Sequence, residues 1–447
     1  MNLYKRSLFN RPILVKIYLF VNIYRHRSTH CFKMGVNSKD VQKWIDEVMA
    51  KEGISNYKLN MSGSSSKGDG YLGEINFVKV TADVGKQDDK EYDMVIKTAK
   101  SNDELRKKSP IAETYLREIQ IYTEVLPAIK QLQKEYSIKN PCASYVTCYT
   151  TCKEDKKESL VLANLKTLGY TVHDRTKHQN FDHVLFVFKT YARWHGASMA
   201  LKKKKPDLFR SITKNMTDQP DLLGQFFVMS GMVPVLKKYC QQGLDLLRKN
   251  GKELAAKKIE KEANNVEEML GSMTLNNDRE ADTEAVILHG DCWNNNMMFK
   301  YKGDDTSKPI DLVFIDYQLS RVASPILDLS YYLYATADKS TLDKLDYLLE
   351  EYHKELTNYL RQFNIKSDDI LTLKRLKSSW KKYGRFGLGM AGMITRIELC
   401  QEDEVVDFTQ KIGDGSMVDL EITAIRLQKE YDTRLFNVYY HFAEKFL

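Results

Sequence analysis

The chain lacks an apolar run long enough to cross a bilayer. The apolar stretch at residues 13–24 covers twelve positions and is broken by Lys16 and Asn22, whereas a spanning helix needs about 20 apolar residues. No stable membrane insertion is expected. The chain also lacks a CxxC pair: its seven cysteines are odd in number and scattered from Cys31 to Cys400. That spacing argues against both a zinc site and a disulfide framework, and points to a reducing compartment. Cys142, Cys148 and Cys152 read as small buried apolar side chains. No repeat occurs at periods of 20–50 residues, which argues against a solenoid. No acid precedes Asp40, while eight bases do, so the whole formal charge of +8 sits at the start of the chain. The rest is balanced, without the basic excess of a nucleic-acid-binding body.

A chain of 447 residues that is 43% hydrophobic and 11% aromatic can bury a full core in two or three units. The basic start, residues 1–37, reads as an extension or leader. A poor signal peptide, a signal anchor, an organelle presequence and a stretch upstream of a true start at Met34 are all compatible with it. Translation from Met34, or removal of the leader, is the favoured account, with a cytoplasmic enzyme as the product. Lys39 stands where a myristoylation motif starting at Met34 would need a hydroxyl residue.

Beyond residue 38 the pattern is that of a folded protein. Val41, Trp44, Ile45, Val48 and Met49 fall on one helical face. A glycine- and serine-rich stretch, 62–73, precedes strand-like segments at 74–82 and 92–98, a hairpin arrangement. Pro110 opens a helix through Tyr115, Ile119, Tyr122 and Leu126, and Pro127 is expected to bend or end it. Two more strands are expected at 145–152 and 159–165. After Gly169 the pattern is mainly helical, at 183–201, 235–250 and 254–270, and the four lysines at 202–205 read as a solvated helix end. Short strands return at 286–289, 297–301 and 312–316, and helices resume from Leu327, with Leu342, Leu345, Leu349, Tyr352 and Leu356 at steps of three and four.

The chemistry concentrates in His289-Gly290-Asp291-Cys292-Trp293-Asn294-Asn295-Asn296 and, after a hairpin-like filler, in an apolar strand ending at Asp316. Transfer of a γ-phosphoryl group needs hard oxygen ligands for magnesium and a carboxylate to orient the attacking hydroxyl and take its proton. Asp291 is the candidate base, and Asn296 and Asp316 the candidate metal ligands. Taken singly, Asp291 reads equally as a turn residue and Asp316 as a strand-end cap; the set, with 25 residues from one aspartate to the other, favours the chemical reading. Upstream, helical spacing puts Glu118 on or beside the apolar face of its helix, where a carboxylate needs a partner. Lys97, in a strand-like segment, is the natural one, since a strand lysine paired with a helix glutamate positions ATP phosphates in kinases. Gly68, Gly70 and Gly73 lie ahead of this pair and could bring backbone amides to phosphates. Alone they are weak evidence; their place in the order glycine run, lysine, glutamate, base loop, metal aspartate adds weight. Cys292 and Trp293 are assigned to packing, and His195 reads as a satisfied core histidine.

With these residues in view, the chain resembles the ecdysteroid kinase-like (CHK kinase-like) family of arthropods, relatives of choline kinases and aminoglycoside phosphotransferases. The resemblance is carried by residues 288–299 (LHGDCWNNNMMF) and 313–334 (VFIDYQLSRVASPILDLSYYLY), with weaker echoes at 115–127, 160–170 and 192–201. It implies an α+β, two-lobed protein-kinase-like fold: a small antiparallel-sheet lobe for the nucleotide at 38–168 and a larger, mainly helical catalytic and acceptor lobe at 169–447. It also implies that Asp291 is the catalytic aspartate, Asn296 and Asp316 the Mg2+ ligands, and Lys97 the ATP-phosphate lysine with Glu118 as its partner. His289 and Asp328 become structural residues beside the site, although Asp328 reads equally well as a first-turn helix acid. The implied acceptor is an ecdysteroid or another hydrophobic alcohol. Ala163-Asn164 departs from the acidic pair usual before the hinge. His-Gly-Asp in place of His-Arg-Asp, and the lack of an Ala-Pro-Glu segment, argue against a protein substrate. A nucleotide- or steroid-binding pseudokinase, and a choline- or aminoglycoside-type kinase, stay open as alternatives.

Overall fold

The computed structural model describes residues 37–64, 72–83, 89–217, 221–267, 269–270, 284–404, 406–417 and 419–447. The basic start with Met34, and two of the candidate glycines, Gly68 and Gly70, lie outside the described residues.

The N-terminal lobe is a five-stranded antiparallel sheet of order β1-β2-β3-β5-β4, made from Tyr57–Ser64 (β1), Gly73–Ala82 (β2), Lys90–Ala99 (β3), Cys148–Cys152 (β4) and Ser159–Ala163 (β5). Alternation decides its two faces. Val78, Val80, Tyr92, Met94 and Ile96 point one way and bury against Val41, Trp44, Ile45, Val48 and Met49 of the helix Ser38–Lys51. Lys97 is offset by one from Ile96, so it points the other way, on the face of its cross-strand partner Leu160 and toward the main core.

The helix Ile111–Gln120 lies on that second face, with the Tyr115 hydroxyl donating to Thr98 O at 2.8 Å. Pro127 does not end the helical path. One π turn, Ile121–Val125, takes up the disturbance, and the helix resumes at Leu126–Glu135 with Pro127 in its first turn, where a missing N–H is tolerated. The strand β1 was not expected: its residues YKLNMSGS lack the β-branched and aromatic run that marks a strand, and part of it falls in the glycine- and serine-rich stretch.

The remaining chain is mainly helical and forms the larger lobe. Within it Tyr170–Val172 (β6), Met297–Lys302 (β8) and Asp305–Phe314 (β9) form a three-stranded sheet, and Val286–Ile287 (β7) pairs with Val322–Ala323 (β10). The long helices Phe181–Lys204 and Leu345–Arg361 pack together, as do Ile326–Thr336 and Leu373–Leu399. The second pair crosses so closely that a Cβ on Gly387 would fall 2.3 Å from Ser330 O. Helices at Pro206–Thr217 and Leu222–Met229 add to those read from the sequence. The result is a two-lobed α+β fold. Six cysteines, all those described, are free, and no helix among the described residues is long and apolar enough to cross a membrane.

Candidate active site

The β8–β9 hairpin brings the two motif aspartates together. Met297 pairs with Phe314, so Asn296, just before β8, meets the residues just after β9, and Ile315 N donates to Asn296 O at 3.0 Å. The 25-residue gap is the length of a hairpin that closes on itself. Asp316 then turns sharply, with a left-handed φ of 66° that is uncommon for an aspartate.

The loop around Asp291 is tied down from below by Asp328, in the first turn of the helix Ile326–Thr336. Asp328 accepts from His289 N (2.8 Å), Gly290 N (3.0 Å), the Cys292 thiol (3.0 Å) and His195 Nε2 (3.2 Å), and His195 Nδ1 meets the Tyr352 hydroxyl at 2.9 Å. Burial alone would raise the Asp328 pKa; the bond from His195, with His289 and Cys292, holds it below the usual carboxylate range. Gly290 cannot carry a side chain: its φ is 91° and a Cβ would lie 2.1 Å from Leu319 O. His289 joins the two loops. Its Nε2 lies 2.9 Å from Ile315 O and its Nδ1 accepts from Asp291 N at 3.2 Å, which requires the Nε2–H tautomer; burial lowers its pKa, consistent with the neutral ring.

Asp291 itself receives Asn296 Nδ2 on Oδ2 at 2.8 Å and the Tyr331 hydroxyl on Oδ1 at 3.0 Å. Burial, then the charge of Asp316, pushes its pKa up to about 6. Asn296 directs its amide nitrogen at Asp291, which leaves its carbonyl oxygen as the atom a metal would use.

Beside this loop, Lys97 Nζ lies 2.6 Å from Glu118 Oε2 and 2.8 Å from Asp316 Oδ1. Glu118 is fully buried, Lys97 is 12% exposed and Asp316 is 30% exposed. Desolvation would lower the Lys97 pKa, but Asp316 and Glu118 outweigh it and keep the ammonium charged. Burial raises Glu118 to about 7 against the pull of Lys97. Arg117, next to Glu118, donates to Ser320 O and to Asn215 O, so the helix is fastened to the turn that carries Asp316.

The structure thus brings Lys97, Glu118, Asp291, Asn296, Asp316, His289 and Asp328 into one cluster. Gly73 stands apart as the first residue of β2, where a Cβ would fall 1.7 Å from the Tyr115 hydroxyl, a packing reason for glycine independent of any ligand. Sequence reasoning missed Tyr331 as a partner of Asp291. Tyr331 follows Asp328 by three residues on one helix, so it shares that helix face; this spacing was the available signal.

A five-stranded sheet lobe, a helical lobe and this cluster between them define a kinase-like protein. A profile of the ecdysteroid kinase-like family matches residues 67–365, about two thirds of the chain, and the chain belongs to that family. No curated protein matches it in sequence. Among solved structures, the GDP complex of a point mutant of aminoglycoside 2'-phosphotransferase-IIIa is similar at 12% identity and a TM-score of 0.33, over 79% of this chain and 97% of that one. The GDP complex of the wild-type enzyme is similar at 11% identity and a TM-score of 0.34, over 85% and 98%. The family supports a small-molecule kinase-like function.

Proposed function

We propose that the chain transfers the γ-phosphoryl group of ATP to a hydroxyl of an ecdysteroid or a similar hydrophobic alcohol. The observation that carries this reading is the ion triad of Lys97, Glu118 and Asp316 set beside the Asp291–Asn296 pair. The sheet lobe, residues 38–168, would hold the nucleotide, and residues 169–447 the acceptor. Glu118 fixes the Lys97 ammonium so that it can meet the phosphates. Asp291 orients the acceptor hydroxyl and takes its proton as the oxygen bonds to phosphorus and ADP departs; the proton then passes to water. A base held near 6 is ionised at neutral pH and close enough to it to be effective.

The residues present fit Mg2+. No group of three or more His, Cys, Asp or Glu side chains among the described residues is arranged for a metal, and Mg2+ does not need one, since it binds through one or two protein oxygens plus phosphates and water. Asp316 and the Asn296 carbonyl supply such oxygens, and the triad holds one carboxylate more than its single ammonium balances. When bound, Mg2+ would neutralise phosphate charge. The ecdysteroid acceptor is supported by the family, and a cytoplasmic site of action by the free cysteines.

The test is magnesium-dependent transfer of label from ATP to a panel of ecdysteroids, sterols, choline and aminoglycosides. Label is expected in an ecdysteroid or sterol, and not with Asp291→Asn. Nucleotide binding without transfer to any acceptor would favour a pseudokinase, and label in choline or an aminoglycoside the cationic-acceptor reading.

A further inference from the structure

The Asp291 carboxylate is held by one donor on each oxygen. Asn296 Nδ2 takes one direction on Oδ2 and the Tyr331 hydroxyl takes one on Oδ1. A carboxylate offers about four lone-pair directions, so about one on each oxygen is left for an incoming hydroxyl. Removing a donor opens a further approach.

Of the two donors, Tyr331 is itself held through a chain of aromatic and cationic contacts. It is 2% exposed, and its ring meets Phe386 edge-on, with centroids 5.7 Å apart and planes at 87°. The Arg321 guanidinium lies 5.2 Å from the Phe386 centroid, and Arg321 Nη1 donates to Gly290 O at 3.3 Å and to Leu319 O at 3.2 Å. The contacts form a circuit from the base through Tyr331, Phe386 and Arg321 back to the residue before the base. Phe386 belongs to the helix Leu373–Leu399, beyond the residues matched by the family profile.

We propose that Tyr331 is a positioning residue that closes one of the two directions on Asp291 Oδ1 and so selects which acceptor hydroxyl is phosphorylated, with Phe386 and Arg321 holding it in place. This rests on the phosphotransfer reading above. The covalent step is unchanged, with the acceptor proton passing to Asp291 and the phosphoryl group to the acceptor oxygen; Tyr331 limits the geometry in which that step occurs.

The test uses the full chain, ATP, Mg2+ and ecdysone as a polyol probe, resolving positional isomers of the product and counting phosphate released to water. Tyr331→Phe keeps the ring and removes the donor. The expected result is a kcat about tenfold to hundredfold lower, as for a lost hydrogen bond to a charged group, with KM for ATP within about twofold. A second positional isomer, or a larger share of hydrolysis, should appear with it. Phe386→Leu keeps the hydroxyl but loosens it, and should shift the isomer ratio the same way with a smaller loss of kcat. A purely structural role would lower the melting temperature and leave the isomer ratio and hydrolysis share alone, and that result would overturn the proposal. If Tyr331→Phe fails to fold, Phe386→Leu decides on the same readout. A wild-type protein that labels several hydroxyls without preference also overturns it. A wild-type protein that labels no alcohol removes the phosphotransfer reading and this inference with it, and is recognised before any variant is made.

Discussion

The Lys97 cluster and the Asp291 loop sit side by side and are held by different forces. The first joins a strand, a helix and the turn after β9 mainly through ion pairs, two carboxylates on one ammonium. The second is one continuous loop in which backbone N–H groups and side chains meet matched partners: Asp328 takes His289 N and Gly290 N, and Asn294 pairs with Gln179 Nε2 at 2.8 Å and His173 O at 2.6 Å. The charged cluster gathers two carboxylates and one ammonium where a cation and phosphates would arrive. The loop gains stiffness instead. Under the proposed function, binding and chemistry fall to parts with different mechanical properties, and each can be broken separately.

The largest expected effect comes from removing the ammonium. Lys97→Met leaves Glu118 buried without its cation and should destabilise the fold by about 3–5 kcal/mol in denaturant unfolding, with Glu118→Gln in the same chain restoring most of it. Asp328→Asn attacks the loop. It weakens charge-assisted bonds from His289, Gly290 and His195, and should lower stability by about 1.5–3 kcal/mol while reducing kcat more than KM for ATP. Gly73→Ala tests the sheet next to the cluster: the clash with Tyr115 and Thr98 should lower stability by about 1–3 kcal/mol.

The smallest effect is the pH dependence. If Asp291 acts as the proposed base, its ionised form is the active one; its pKa is raised to about 6, so activity should fall as pH drops through 6 and stay level just above it. A cation on Asp316 offsets part of that shift, so saturating Mg2+ should move the inflection down. The same raised value has a stability consequence. The contribution of protonated Asp291 is full below the ordinary carboxylate pKa and lost as pH rises through about 6, so Asp291→Asn should melt above wild type at pH 7 in the absence of nucleotide.

The two regions differ also in how far the sequence discloses them. Asp291, Asn296 and Asp316 are legible as a set because the proposed metal and proton chemistry permits few residue types and the hairpin gives them a characteristic spacing. Lys97 and Glu118 are legible because a charge on an apolar strand or helix face demands a partner. Tyr331 and Phe386 are not, since an aromatic residue on a buried helix serves a core equally well, and only the fold shows that the Tyr331 hydroxyl reaches Asp291 while its ring meets Phe386. Among the elements, the helix Ser38–Lys51 and the pair β2–β3 follow from clean periodicity, while β1 has too weak a pattern, and the π turn before Pro127 is a local compromise that spacing does not reveal.

The central claim, that Asp291 is the base of a phosphotransferase whose nucleotide is held by the neighbouring cluster, is tested most directly by measuring ATP affinity and label transfer on the same Asp291→Asn protein. The account predicts affinity within about threefold of wild type and transfer lower by on the order of 10²–10⁴-fold. Equal transfer by wild type and Asp291→Asn would contradict it.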